Sequence, residues 1–254
     1  TYSPTGDILT IVLCIVCFIF LFATYTEKQK RFSIFCKINI TIFAVAIESL
    51  IFHYLKGAYD VISGDIGLLL ILMEAVIYIS ILIILIWFII YLTYLFNYTD
   101  VTREIIQGLS IFPLIFYAII KILEPFVNCA TYGHWIFIDA PRWGFFAFYF
   151  YYYFIIGILL LASGKRIVTK MGLCLKFTFL LSFFLTIGQF LIYSKTFLIV
   201  SFIIPTLVIM LLFHYRPYDI VTGGLDRTSL AKYLQYEGKN KYLGIYALQL
   251  KNFI

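Results

Sequence analysis

Charged side chains are scarce in this chain of 254 residues: Asp, Glu, Lys and Arg together make up 13% of it, where a soluble domain carries about 25%. That shortage excludes an ordinary water-soluble globule, because 63% of the residues are hydrophobic and 20% aromatic, more apolar surface than so few polar groups can cover. Histidine is rarer still. His53, His134 and His214 are the only three, and they are too dispersed for a metal centre. Five cysteines, Cys14, Cys17, Cys36, Cys129 and Cys174, provide no disulfide framework. Cys14 and Cys17 sit inside an apolar run, where redox or metal chemistry is not expected. Helix-breaking residues are also thin at depth: only Gly188 and Pro205 interrupt apolar runs near their middle, and no internal repeat is visible. Both absences count against a transporter of inverted halves with broken helices.

What the chain has is apolarity in long blocks, with a mean hydropathy of +1.00. Seven runs stand out: Ile8 to Tyr25, Ile38 to Leu55, Ile66 to Phe96, Leu109 to Leu123, Trp143 to Ala162, Leu173 to Tyr193 and Phe197 to Phe213. A helix needs about 20 residues to cross a hydrocarbon core of about 30 Å, so each run is expected to cross. Within hydrocarbon every backbone group must be bonded inside its own segment, and the unbroken apolarity is not the alternation of a membrane barrel. The expected fold is an all-α membrane protein, a seven-helix transmembrane bundle over residues 1–214, followed by a polar tail over 215–254. The chain starts at Thr1 without a basic region before its first run, which leaves a removed leader or an upstream segment open.

Loop charge gives the orientation. With the N-terminus outside, the inner flanks hold ten basic residues: Lys28, Lys30, Arg31, Lys37, Arg103, Lys165, Arg166, Lys170, Lys176 and Arg216. The outer flanks hold four, Lys56, Lys121, Arg142 and Lys195. The asymmetry predicts an outside N-terminus and a cytoplasmic C-terminus. The net charge of +6 is then a topology signal whose partner is the lipid bilayer, not a footprint for nucleic acid.

Ionisable residues inside hydrocarbon cost several kcal/mol, so each should be paired, lodged in a cavity or close to an interface. Glu48 falls near the middle of the second run and His53 near its outer end; Glu74 lies a third of the way into the third and Lys121 near the outer end of the fourth, while the sixth carries a neutral polar candidate, Gln189. One reading has Glu48, Glu74 and Lys121, with His53, converging on an outward polar pocket that binds a small ligand or senses protonation. The plainer reading has Lys121 snorkelling, His53 at the interface and both glutamates hydrogen-bonded within the bundle. The longest outer loop, Glu124 to Arg142, adds His134, Trp135 and Arg142 as candidate contacts. It is too short for a separate ligand-binding domain. The aromatic block Phe145 to Phe154 either lines an apolar cleft or packs helices and lipid. Asp-Arg-Tyr is missing after the third run, and the seventh lacks both Asn-Pro-x-x-Tyr and a lysine, so neither a eukaryotic-type G-protein receptor nor a retinal protein is indicated.

After the seventh run the composition turns polar within a few residues, at His214-Tyr215-Arg216-Pro217. Asp219, Thr222, Gly223, Asp226 and Arg227 then follow in the pattern Asp-x-Val-Thr-Gly-x-x-Asp-Arg. Thr222-Gly223-Gly224 makes a turn, and Asp226 can cap a helix from about Thr228 to Gln235. Tyr242 to Ile254 has the alternation of a strand. This stretch resembles the opening of GGDEF domains, the catalytic domains of diguanylate cyclases, and the resemblance covers residues 219–254. It implies an α/β domain beginning in the tail, magnesium and GTP as cofactor and substrate in a longer parent chain, pairing as a homodimer, and a bacterial inner membrane. Aligning on Asn252-Phe253 puts Gln249 where the family holds magnesium with an Asp, Lys251 where a second Asp stands and Ile254 where a Lys contacts phosphate. A glutamine carbonyl is a weak substitute for a metal-binding carboxylate. The chain also stops before the Gly-Gly-Asp-Glu-Phe turn, so no catalytic residues are assigned to it. The layout of seven spans before such a tail is similar to that of bacterial membrane sensors. The expected role is therefore a sensing module, with an active cyclase parent or a transporter as alternatives.

Overall fold

The computed structural model describes residues 4–24, 30–59, 67–132, 143–162, 169–191 and 199–214. The chain divides into two compact units, 1–215 and 216–254, and the described residues all belong to the first. Among them every regular element is helical: α1 (Thr5–Thr24), α2 (Lys30–Tyr59), α3 (Gly67–Leu95), α4 (Asp100–Tyr132), α5 (Trp143–Ala162), α6 (Thr169–Leu191) and α7 (Val200–Ile209), which runs into a π-helical turn, Met210–His214. Residues 215–254, expected to open a GGDEF-like domain, lie outside the described residues.

Six of the helices are long and apolar enough to cross a membrane. Several extend past the apolar runs that mark them, because hydropathy identifies only the stretch that lies in hydrocarbon while the helix continues through its polar flanks. Thus α2 starts at Lys30 and α4 at Asp100. The seventh departs from expectation. From Val200 to His214 it has 15 residues, or about 22 Å at about 1.5 Å per residue, short of the hydrocarbon thickness. The apolar run counted residues ahead of Val200, where the described helix begins.

The helix order in space follows from side-chain pairing. Asn39 Nδ2 donates to the Cys14 carbonyl at 3.1 Å, and the Ser49 hydroxyl donates to Asp7 Oδ2 at 2.8 Å, so α1 and α2 run antiparallel. Helix α3 is apolar all round and packs against α2, α4 and α5, as a helix without a polar face must. Helix α6 packs on α5 and α7, and α7 closes back on α1 and α2. Helix α4 leans on α3 and α5 from outside. Its outer face carries Phe112 at 75% and Val127 at 62% exposure, which in a chain of this composition is a lipid-facing surface.

Two local devices fix α4. At its start, Asn97 takes φ 50°, and the Tyr98 N–H reaches the Thr93 carbonyl at 3.1 Å. This is the six-to-one closure of a helix end, with asparagine in the left-handed position usually held by glycine. The Thr99 hydroxyl caps the Thr102 N–H at 3.4 Å, and Arg103 bonds Asp100 at 2.6 Å and the Tyr98 carbonyl at 2.9 Å while stacking on Tyr94. Further along, Pro113 has no N–H to offer the carbonyl of Leu109. That carbonyl accepts from the Tyr151 hydroxyl at 2.9 Å. Tyr152 donates to the next one, Ser110, at 2.7 Å, and its hydroxyl also meets the backbone of Leu114. Tyr151 thus supplies the donor that Pro113 lacks, and Tyr152 adds a second bond one residue further on.

Candidate functional site

Helices α1, α3 and α7 begin, and α2 ends, at one end of the bundle. Their polar residues meet there. Asp7, in the first turn of α1, is 2% exposed, and its carboxylate faces the positive end of its own helix dipole. Ser49 and His53 stand one turn apart on α2, so they share a face. The Ser49 hydroxyl is committed to Asp7. His53 Nδ1 is 2.7 Å from the Ser49 carbonyl; a carbonyl only accepts, so the proton is on Nδ1, leaving Nε2 as the atom that changes between neutral and charged forms. Glu74, two turns into α3, is 5% exposed.

Ser49, His53 and Glu74 line one cavity together with Phe52, Ile77, Tyr78 and Ile199. Its volume is about 40 Å³, and a water needs about 10–15 Å³ by that measure. The cavity therefore has room for about three or four waters. Four helices contribute to this cluster, since Asp7 lies behind Ser49 and Ile199 immediately precedes α7.

Of the residues marked in sequence, the structure brings His53 and Glu74 together. Glu48 neighbours Ser49 on α2 but points to a different face; it does not line the cavity, and its Oε2 is enclosed without a hydrogen-bond partner. Lys121 is buried on α4 in an ion pair with Glu124 of the same helix. The backbone of Gln189 belongs to α6, but its side chain is outside the described residues, as are His134, Trp135 and Arg142. The tail residues Asp219, Thr222, Gly223, Asp226, Arg227 and Gln249 are outside them too. Sequence reasoning missed Asp7 and Ser49. Asp7 sits one residue ahead of the first apolar run, where it passes for a flank, and a lone serine carries little signal. The Ser-x-x-x-His spacing opposite an acid at a helix start could have found them. No group of three His, Cys, Asp or Glu arranged for a metal occurs among the described residues.

Two further polar features lie outside the cavity. A chain of hydroxyls ties α5, α6 and α7: Tyr149 donates to Thr186 at 2.8 Å, Thr186 meets Ser201 at 3.0 Å, and Tyr153 meets Ser182 at 2.8 Å. At the opposite end of the bundle, His214 Nε2 is 3.1 Å from the Tyr91 hydroxyl, and its ring stacks on Phe35 at 4.5 Å. Phe35 is on α2 and Tyr91 on α3, the same two helices that carry Ser49, His53 and Glu74. Helix α7 and its π turn thus touch the cavity at one end and an aromatic seat at the other.

No protein-family model, curated protein or solved structure matches this chain, so its function has to be argued from the chemistry of the site.

Proposed function

We propose that this membrane protein is a sensing module in which the protonation or hydration of the Asp7, Ser49, His53 and Glu74 cluster sets the position of α7, and through it the tail. The observation that carries this reading is the double engagement of the last helix: Ile199 at the cavity and His214 against Phe35 and Tyr91. Histidine is the side chain suited to switching charge near neutral pH, and a cavity of water size suits a proton better than a metabolite. Lys37, Arg103 and Lys176 belong to one end of the bundle and Lys56 and Lys121 to the other, which supports an outside N-terminus with the cluster near the outer face.

The output, in this reading, is the cytoplasmic tail. Its resemblance to the start of a GGDEF domain supports a bacterial inner-membrane location and pairing between two copies. Gln249 in place of a carboxylate does not fit a magnesium site, so no step is derived through the metal, and the tail is read as a binding or contact element. The test uses the whole chain in lipid nanodiscs and follows trypsin cleavage after Arg227 from pH 5 to 8. A severalfold change in cleavage rate that disappears in both Glu74→Gln and His53→Gln is expected. A profile identical in wild type and both variants would refute the reading. Production of cyclic di-GMP from GTP by a longer parent chain would instead move the assignment to a membrane-bound cyclase.

A transport role draws on the hydroxyl chain from Tyr149 to Ser201. Proton flux into vesicles carrying the protein, abolished by Glu74→Gln, would favour it.

A further inference from the structure

Helices α5 and α6 are joined by Tyr149 to Thr186 and Tyr153 to Ser182, and Phe150 packs edge-on against Phe183. Beyond these contacts, toward the end of the bundle where α5 stops and α6 starts, they bound a cleft of about 740 Å³. This lies within the about 300–1,000 Å³ typical of small-molecule sites. Phe154, Ile158 and Leu161 line it from α5, and Leu173, Phe177 and Leu180 from α6. Gly157 adds depth, since a Cβ there would meet nothing within 4 Å.

One cation breaks this apolar lining. Lys176, about two turns into α6, makes no hydrogen bond or ion pair with any described residue. Its stem can lie along the cleft while the ammonium extends to the level of the headgroups. Apolar walls with an ammonium that has no partner among the described residues are complementary to a molecule with a long hydrocarbon body and an anionic head.

The geometry points to a binding site for one anionic phospholipid, its acyl chain between α5 and α6 and its phosphate on Lys176. The cleft shares no lining residue with the cavity at His53 and Glu74, so the lipid site is independent of the sensing role. A lipid held there covers the exposed Leu173, Phe177 and Leu180 of α6.

Native mass spectrometry of the full chain, released from detergent with phosphatidylglycerol or with phosphatidylcholine of the same acyl composition, tests this. One retained phosphatidylglycerol is expected, favoured about fivefold, as one lysine near an anionic headgroup provides. Lys176→Gln should bring the two lipids to parity, and Gly157→Phe, whose ring enters the cleft, should lower retention of both. Equal retention by the wild type, or a preference unchanged in Lys176→Gln, would overturn the site. So would a lipid-free dimer that Gly157→Phe dissociates, which would give the cleft to a second copy. Should Gly157→Phe fail to fold, the Lys176 comparison decides alone.

Discussion

The proline inside α4 at position 113 offers a quantitative test of how this bundle is held together. Pro113 leaves the Leu109 carbonyl without its helical donor, and the Tyr151 hydroxyl takes that place at 2.9 Å. An unsatisfied buried carbonyl costs about 1–3 kcal/mol, but hydrogen bonds between membrane helices average only about 0.6 kcal/mol with a ceiling near 1.7. Tyr151 is partly exposed at the bundle surface, so Tyr151→Phe should cost about 1 kcal/mol. In a Pro113→Ala background the restored Ala N–H serves Leu109, and the same Tyr151→Phe change should cost about 0.3 kcal/mol or less. The coupling across the double-mutant cycle is then about 0.7 kcal/mol, whatever Pro113→Ala does by itself. Reversible unfolding by sodium dodecyl sulfate in mixed micelles, followed by far-ultraviolet circular dichroism, measures all four corners. Additivity within about 0.3 kcal/mol would show that the proline and the tyrosine are unrelated, and the reasoning would fail.

The same assay reaches three other places. Tyr152→Phe should cost more than Tyr151→Phe, about 1.5 kcal/mol, because its hydroxyl bonds the Ser110 carbonyl and meets the Leu114 backbone; equal costs would remove Leu114 from the account. Asn97→Val should destabilise by about 1–2 kcal/mol, since a β-branched residue resists φ 50°, while Asn97→Gly should be neutral or slightly stabilising; a tolerated valine would mean that the turn relaxes. Ser49→Ala should cost about 1 kcal/mol by removing one buried hydrogen bond to Asp7, whereas Thr41→Ala, whose hydroxyl only back-bonds Lys37 on an exposed face, should stay within about 0.5 kcal/mol. Equal effects at the two positions would deny Asp7 its dependence on Ser49.

The membrane-spanning helices were readable from the sequence because one force dominates there. Hydrocarbon demands continuous apolarity and internal hydrogen bonding at once, and both leave a mark in every window of about 20 residues. Helix ends carry no such mark: α2 continues eight residues ahead of Ile38 through Lys30 and Arg31, since a helix in the interface gains nothing by stopping. The polar site was half legible. His53 and Glu74 stand out as ionisable groups among apolar neighbours, but which of them meet depends on helix rotation and on pairs far apart in sequence. Ser49 and Asp7 are 42 positions apart. Lys121 shows the opposite case, for its partner Glu124 is on the next turn and could be paired by spacing alone. In the aromatic block, Tyr149, Tyr152 and Tyr153 owe their places to hydroxyl partners on α4 and α6, and only the fold reveals those.

Helix α7 is the element on which the sensing proposal depends, and its winding is weakened at two places. Pro205 removes one internal hydrogen bond, and the π turn from Met210 to His214 loosens the winding at the other end. A fully bonded helix of this length would transmit a shift at Ile199 to its far end by rigid displacement, and it would resist that shift through its contacts with α1, α2 and α6. With two weakened turns, α7 can change winding locally at small cost. Besides its packing on α1, α2 and α6, α7 is then held at its two ends, on the cavity side at Ile199 and in the Phe35 and Tyr91 seat of His214. Loosening the seat should therefore free the tail even when the cluster is intact: Tyr91→Phe, which deletes one hydroxyl from the bundle, should raise the rate of cleavage after Arg227 and flatten its dependence on pH. A cleavage profile unchanged by Tyr91→Phe would disconnect the seat from the tail and leave α7 as a structural closure of the bundle.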